Sequence, residues 1–356
     1  MTGEWPVWFA SGVVLSCLVA CLFAYPLGNR RTVAGLSASA LVWVALLTTA
    51  LVTGEVRSGA AAVLFTIAGT AASLPAAAVF AALERPVLPT ALAAAGWTAL
   101  ALVPPAVLLF GNGSIWILET VGVLDYAGAL VIAVPAFGVV LALRLVRIRR
   151  TTPPQPSTRH PLVAAVLVWT CVLAWLAGSE LTLSAATADI LLAGVVTPVL
   201  SAVGWAVVER IRLATNTVAA AGSGAIAGLV AVLAAAPYVD FLWSAVLGAI
   251  VGPVTALIAF GGSAGPAWRG GLRHLIAILP AAGAAGIVFL GLFAAERGLV
   301  YTGKADVLLT QVAALLLITG WAALVGVLVS VPLRSRKPLA RHRGAVAAGS
   351  ESSARS

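Results

Sequence analysis

Apolar residues run along this chain in eleven stretches of membrane-spanning length, near 5–27, 33–53, 60–82, 89–110, 125–146, 161–181, 186–208, 217–237, 240–261, 273–294 and 306–332. A hydrocarbon core takes roughly 20 helical residues to cross, which each stretch supplies. The stretches do not alternate polar and apolar positions with a period of two, so they predict helices and not the strands of a membrane barrel. Polar and turn-forming residues separate them, as at Gly28-Asn29, Pro86, Asn112-Gly113, Pro237 and Gly261-Gly262. The expected fold class is an all-α integral membrane protein of about 11 transmembrane helices. Glycine and alanine recur within the runs, which suits close approach of helix backbones in lipid.

Composition strengthens this picture: 61% of the 356 residues are apolar and 9% are charged. Little chain is left for a soluble domain, so function must reside among the helices. The first run begins Trp5-Pro6-Val7-Trp8 with no basic segment before it, and is read as a retained helix and not a cleaved signal. Cys17, Cys21 and Cys171 fall inside apolar runs, where cysteine is a small core residue. They share no ligand spacing with His160, His274 and His342, so no metal and no other cofactor is expected.

Charge sets an expected orientation. Eighteen of the 21 basic residues follow the first, third, fifth, seventh, ninth and last runs, leaving Arg57, Arg297 and Lys304 on the other side. By the positive-inside rule this puts the N-terminus outside and the C-terminus in the cytoplasm, in a plasma (inner) membrane. The net charge of +9 then reflects topology and contact with anionic lipid, not a nucleic-acid partner. One transmembrane domain spans 1–333. Its halves, roughly 1–146 and 161–333, are joined by a basic, proline-rich loop at 147–160. A basic tail at 334–356, rich in Ala, Ser, Gly and Arg, reads as disordered. Odd helix numbers in each half would orient the halves oppositely, the arrangement of an inverted 5+5 repeat followed by a final helix.

Several short motifs carry a resemblance. Gly122-Val123-Leu124-Asp125-Tyr126-Ala127-Gly128 opens the fifth run, Ala177-Gly178-Ser179 closes the sixth, and Gly224-Ala225-Ile226-Ala227-Gly228-Leu229-Val230 lies in the eighth. Ala82-Leu83-Glu84-Arg85, Trp243 through Gly252, and Gly291-Leu292-Phe293-Ala294 extend the match in order and spacing over nearly the whole chain. Together they resemble the ammonium transporter, methylammonium permease and Rhesus protein superfamily. The resemblance implies eleven helices, an external N-terminus and a homotrimer with one pore in each subunit. It also places Ser179, Phe110 and Trp175 at an outer vestibule's serine and two aromatic positions. An aromatic face can hold a small cation; equally, Phe110 and Trp175 can serve packing or the lipid interface. Asp125 can attract a cation toward the vestibule or, as a carboxylate at a helix start, accept backbone N–H bonds as a cap.

The same motifs bring out departures. Eight residues beyond Asp125 stands Ala133, and counting back from Gly291-Leu292-Phe293-Ala294 reaches Leu279. By resemblance these are the two pore-histidine positions. Neighbouring polar positions have become Pro135 and Leu176, and Pro135 is expected to loosen the fifth helix. His274 could take the second histidine's place only across a gap of about five residues. The family is thought to deprotonate ammonium and pass its proton along paired imidazoles, which Ala133 and Leu279 cannot do. The expectation is a divergent channel that passes neutral ammonia or another small uncharged solute, with a non-conducting, channel-derived sensor or scaffold as the alternative. An enzyme is not expected: Gly222-Ser223-Gly224 only superficially suggests a nucleophile. Docking of the family's nitrogen-sensing regulator is not expected either, because the tail is basic and His342 is followed by Arg343-Gly344.

Overall fold

The computed structural model describes residues 4–24, 30–54, 58–83, 85–111, 121–145, 161–261 and 273–333, and these form helices and short connections. Each of the eleven apolar runs contains helix: α1 Trp5–Ala24, α2 Arg30–Val52, α3 Gly59–Ala81 and α4 Val87–Phe110. The fifth run holds two pieces, α5 Ala129–Ile132 and α6 Ala136–Leu145. Then come α7 Pro161–Ser179, α8 Ala186–Leu213, α9 Val218–Ala235, α10 Phe241–Phe260, α11 Arg273–Phe293 and α12 Asp306–Ser330. Eight of the described helices are long and apolar enough to cross a membrane; shorter apolar helices occupy Trp5–Cys21, Ala129–Ala142 and Ala165–Ser179. The loop at 147–160 and the tail from 334 onward lie outside the described residues.

Local chemistry sets several boundaries. Ser58 caps α3 by accepting the Ala61 N–H, and Asp240 caps α10 by accepting the Trp243 N–H. Thr217 caps α9 through the Ala220 N–H, while its own N–H and hydroxyl donate to the buried Glu209 carboxylate near the end of α8. That clamp carries α8 past the expected end at 208. Arg210 and Arg212, in its last turn, complement the helix dipole there.

Packing follows two clusters. The larger gathers residues of α1, α3, α5 and α7–α12; the smaller joins α1, α2, α3, α4, α6 and α12. Helix pairs α8 with α10, α8 with α9, α2 with α3 and α2 with α4 make the main contacts, followed by α1 with α7 and α6 with α12. Small residues allow these approaches. A β-carbon on Gly138 would sit 2.0 Å from the Ala322 carbonyl oxygen, so α6 and α12 meet backbone to backbone. Gly138→Val is expected to force these helices apart at a cost of about 1–3 kcal/mol, lowering the unfolding temperature in detergent. Gly96→Ala, whose β-carbon would meet only Val329 at 3.8 Å, should leave it unchanged.

Candidate functional site: a capped aromatic cluster and two broken helices

The segment 124–127 leads into α5 and is tied to three other helices. Gln311, fully buried on α12, donates from Nε2 to the Leu124 carbonyl at 2.7 Å and accepts the Leu124 N–H on Oε1 at 3.3 Å. The Tyr126 and Ala127 N–H groups donate to the carbonyls of Ala234 and Leu233 at the end of α9. From α7, Trp175 Nε1 donates to the Ala127 carbonyl at 2.9 Å, and the Tyr126 hydroxyl returns a bond to the Leu176 carbonyl at 2.8 Å. Backbone groups with no helix or strand of their own are thus satisfied inside the bundle, as an apolar surrounding requires.

Asp125 completes this arrangement. Its two carboxylate oxygens accept the Ala129 and Leu130 N–H groups, each at 2.8 Å, at the start of α5. The chain turns into the helix at Gly128, with φ of 87°, a left-handed conformation that glycine adopts without a β-carbon penalty. The geometry is that of a cap, with the anion at the positive end of the short helix. Between α9 and α10, burial pushes the Tyr238 phenol above its ordinary range; the nearby Asp125 carboxylate adds to the shift and Arg297 opposes it.

The aromatic positions come together through a residue that spacing did not indicate. Phe65 of α3 packs against Phe110 at 5.6 Å between ring centroids and edge-on against Trp175 at 5.3 Å. Phe65 therefore joins the two sequence-predicted rings into one aromatic cluster. Trp175 is buried, with its N–H committed to Ala127. Ser179 donates its hydroxyl to the Trp175 carbonyl at 2.7 Å, which leaves oxygen lone pairs as acceptors.

Near this cluster the fifth run and α11 lose α geometry, and within α4 the stretch Thr98–Leu102 is likewise a π-helix. After α5 the chain passes through a turn at 133–135, where the Ala136, Phe137 and Gly138 N–H groups bond three residues back to Ala133, Val134 and Pro135. Pro135 has no N–H to continue the ladder. In α11 the stretch Ala277–Ala281, containing Leu279 and Pro280, is a π-helix. Such bulges are frequent at functional sites. Ala133 is fully buried, and a β-carbon on Gly283, one turn beyond Leu279, would lie 3.0 Å from the Ala133 β-carbon. Leu279 packs, partly buried, against the larger core cluster. A shallow cleft adjoins this region, lined by Pro75, Trp97, Leu102, Ile132, Ala136 and Leu275.

At the end of the bundle carrying Arg210, Arg212 and Arg273, His274 faces α9. Its Nε2 lies 3.0 Å from Ser223 Oγ, and its ring packs edge-on with that of Trp205 at 5.6 Å. Trp205 is fully buried, and its indole N–H has no acceptor among the described residues. No group of three His, Cys, Asp or Glu side chains among those residues is placed to hold a metal ion.

Comparisons with known proteins agree on one fold. Residues 7–337 match the Ammonium Transporter Family. A provisionally assigned ammonium transporter of Methanothermobacter thermautotrophicus is 27% identical over 256 residues, 68% of this chain and 61% of that protein. An ammonium transporter of Bacillus subtilis is 32% identical over 161 residues, 44% of this chain and 39% of that protein. The matched parts thus span about three fifths or less of these relatives' lengths. Among solved structures, a Sensor Amt Protein superposes with a TM-score of 0.77 at 16% identity, covering 94% of this chain and 93% of its own. Mep2 of Saccharomyces cerevisiae gives 0.72 at 18% identity, covering 92% and 84%. At these identities the superpositions speak for the fold alone. The match over residues 7–337 shows that this multi-pass membrane protein belongs to the Ammonium Transporter Family.

Proposed function

We propose that this chain is a divergent channel of its family that passes neutral ammonia or a similarly small uncharged solute and conducts no ammonium ion. The observation that carries the reading is the apolar pair Ala133 and Leu279, set in the two broken helices near the aromatic cluster. A bare cation entering such a path loses several kcal/mol of hydration energy, with no imidazole to accept a hydrogen bond or a proton. A neutral molecule avoids most of that penalty. In this reading Phe110, Trp175 and Ser179 form the outer vestibule, with Ser179 offering acceptor lone pairs. Asp125 holds the mouth of α5 in place and adds negative potential there.

The contact between Ala133 and Gly283 favours a second reading, a closed path in a channel-derived sensor or scaffold. Ammonia flux into liposomes separates the two, since a closed path gives the rate of protein-free vesicles. We further assign an external N-terminus, a cytoplasmic C-terminus, a homotrimeric assembly and adsorption of the basic tail to anionic lipid. The orientation predicts that single cysteines placed in the loop at 147–160 and in the tail beyond 334 stay unlabelled by an impermeant thiol reagent in intact cells. Labelling from outside would reverse it.

A further inference from the structure

Trp97 stands immediately before the π-helix of α4 and is 1% exposed. The far edge of its ring is wedged where α6 meets α12: a β-carbon on Gly138 would lie 2.8 Å from Trp97 Cη2. Packing therefore fixes the indole. Its N–H has no hydrogen-bond partner among the described residues, yet the nitrogen is not sealed as that of Trp205 is. The ring lines the shallow cleft, where every other side chain is apolar. A buried donor that keeps contact with open space calls for a small acceptor in that space.

The cleft leaves room for about one water-sized molecule. Its walls come from four stretches whose helical ladder is interrupted. Pro75 lies inside α3, Leu102 ends the π-helix of α4, Ile132 and Ala136 flank the break in the fifth run, and Leu275 precedes the π-helix of α11. Proline strands carbonyls at the same places. The Ala71 carbonyl has Pro75 where its ladder donor would stand, and the Val131 carbonyl has Pro135. Each belongs to the residue just before one that lines the cleft, Ala72 and Ile132.

We propose that this cleft is a binding site for one molecule of neutral ammonia, held by Trp97. Ammonia is water-sized, and its lone pair accepts the indole N–H; the stranded carbonyls are the nearest acceptors along the chain for its own N–H groups. The ammonium ion has no lone pair, cannot accept that bond, and would meet apolar walls without a counter-charge. The site rests on the reading of the chain as a passage for neutral ammonia, to which it adds a holding point beside the broken helices.

The test is solid-state nitrogen NMR of the full-length protein, labelled at the tryptophan indoles and reconstituted in liposomes. Trp97→Phe assigns the Trp97 resonance by removing it. On adding ammonium chloride at alkaline pH, against a matched sodium chloride control, that resonance should move saturably. Trimethylamine carries the same lone pair but is too large for the cleft, and should leave the resonance in place. Ala72→Val fills the cleft from α3 and should weaken the response at least tenfold, while the retained Trp97 resonance shows that the variant folds. At fixed total ammonium the response should fade toward acid pH, where the neutral form is scarce. No ammonia-dependent shift means that water or a lipid chain holds the cleft. A shift shared with trimethylamine, or one that persists at acid pH or in Ala72→Val, has another cause. Each of these results sinks the proposal. Flux is measured separately. A saturable shift without flux leaves the site standing and removes the channel reading, whereas flux without a shift does the reverse.

Discussion

Replacing both Ala133 and Leu279 by histidine is expected to leave ammonium conduction absent or far below that of a proton-relaying channel. Two imidazoles supply the missing chemistry only if their rings can meet in an open lumen. Ala133 is fully buried, with the Gly283 backbone against its methyl group. An imidazole there must displace α11 or rotate away, a strain of about 1–3 kcal/mol for overpacking alone. The turn at 133–135 and the π-helix at Ala277–Ala281 also change the direction in which each side chain leaves its helix. A kinetic readout is solid-supported membrane electrophysiology on the double variant, with circular dichroism to show that the bundle still forms. Full, saturable ammonium current in the variant would mean that the path is open and lacks only its imidazoles.

Gln311→Leu is expected to be the most damaging single polar substitution in the bundle. The amide is fully buried and satisfies both the N–H and the carbonyl of Leu124. Leucine is close in size but leaves two backbone groups stranded, each at a cost of about 1–3 kcal/mol. Because Leu124 precedes Asp125, the loss should loosen the start of α5 as well as lower global stability. Thermal unfolding in detergent should fall by several degrees, and hydrogen exchange should accelerate at Ala129 and Leu130, whose N–H groups the Asp125 carboxylate holds. Asp125→Ala should accelerate exchange at the same two amides with a smaller drop in stability, roughly 1 kcal/mol for a lost cap. Unchanged exchange in Gln311→Leu would show that the clamp does not hold the start of α5.

How much of this could be read from the chain depends on the range of the interactions. Helix positions were legible because twenty apolar residues in a row have few other solutions in lipid. Asp125 as a cap was legible too, since its partners lie four and five residues on, and Pro135 announced the break in the fifth span. The π-helix at Leu279 was not, because no residue pattern marks it beyond Pro280, whose missing N–H is compatible with several backbone geometries. Phe65, Gln311 and Trp205 were missed for a different reason. Gln311 meets Leu124 across 187 residues of chain, and Phe65 meets Trp175 across two helices' worth of intervening fold. Such pairings carry no local spacing. A fully buried glutamine in an apolar run is the one signal that could have flagged Gln311, since polar residues inside the membrane are rare without a partner.

The central claim is that an apolar path has replaced the proton-relaying one. Its most direct test measures charge and ammonia movement on the same liposomes bearing the unaltered protein, with solid-supported membrane electrophysiology for current and an internal pH dye for neutral flux. The account predicts an alkaline lumen signal faster than in empty vesicles and no ammonium-dependent current above theirs. A saturable, electrogenic ammonium response from this protein, absent from empty vesicles, would contradict it and place the relay on groups other than Ala133 and Leu279.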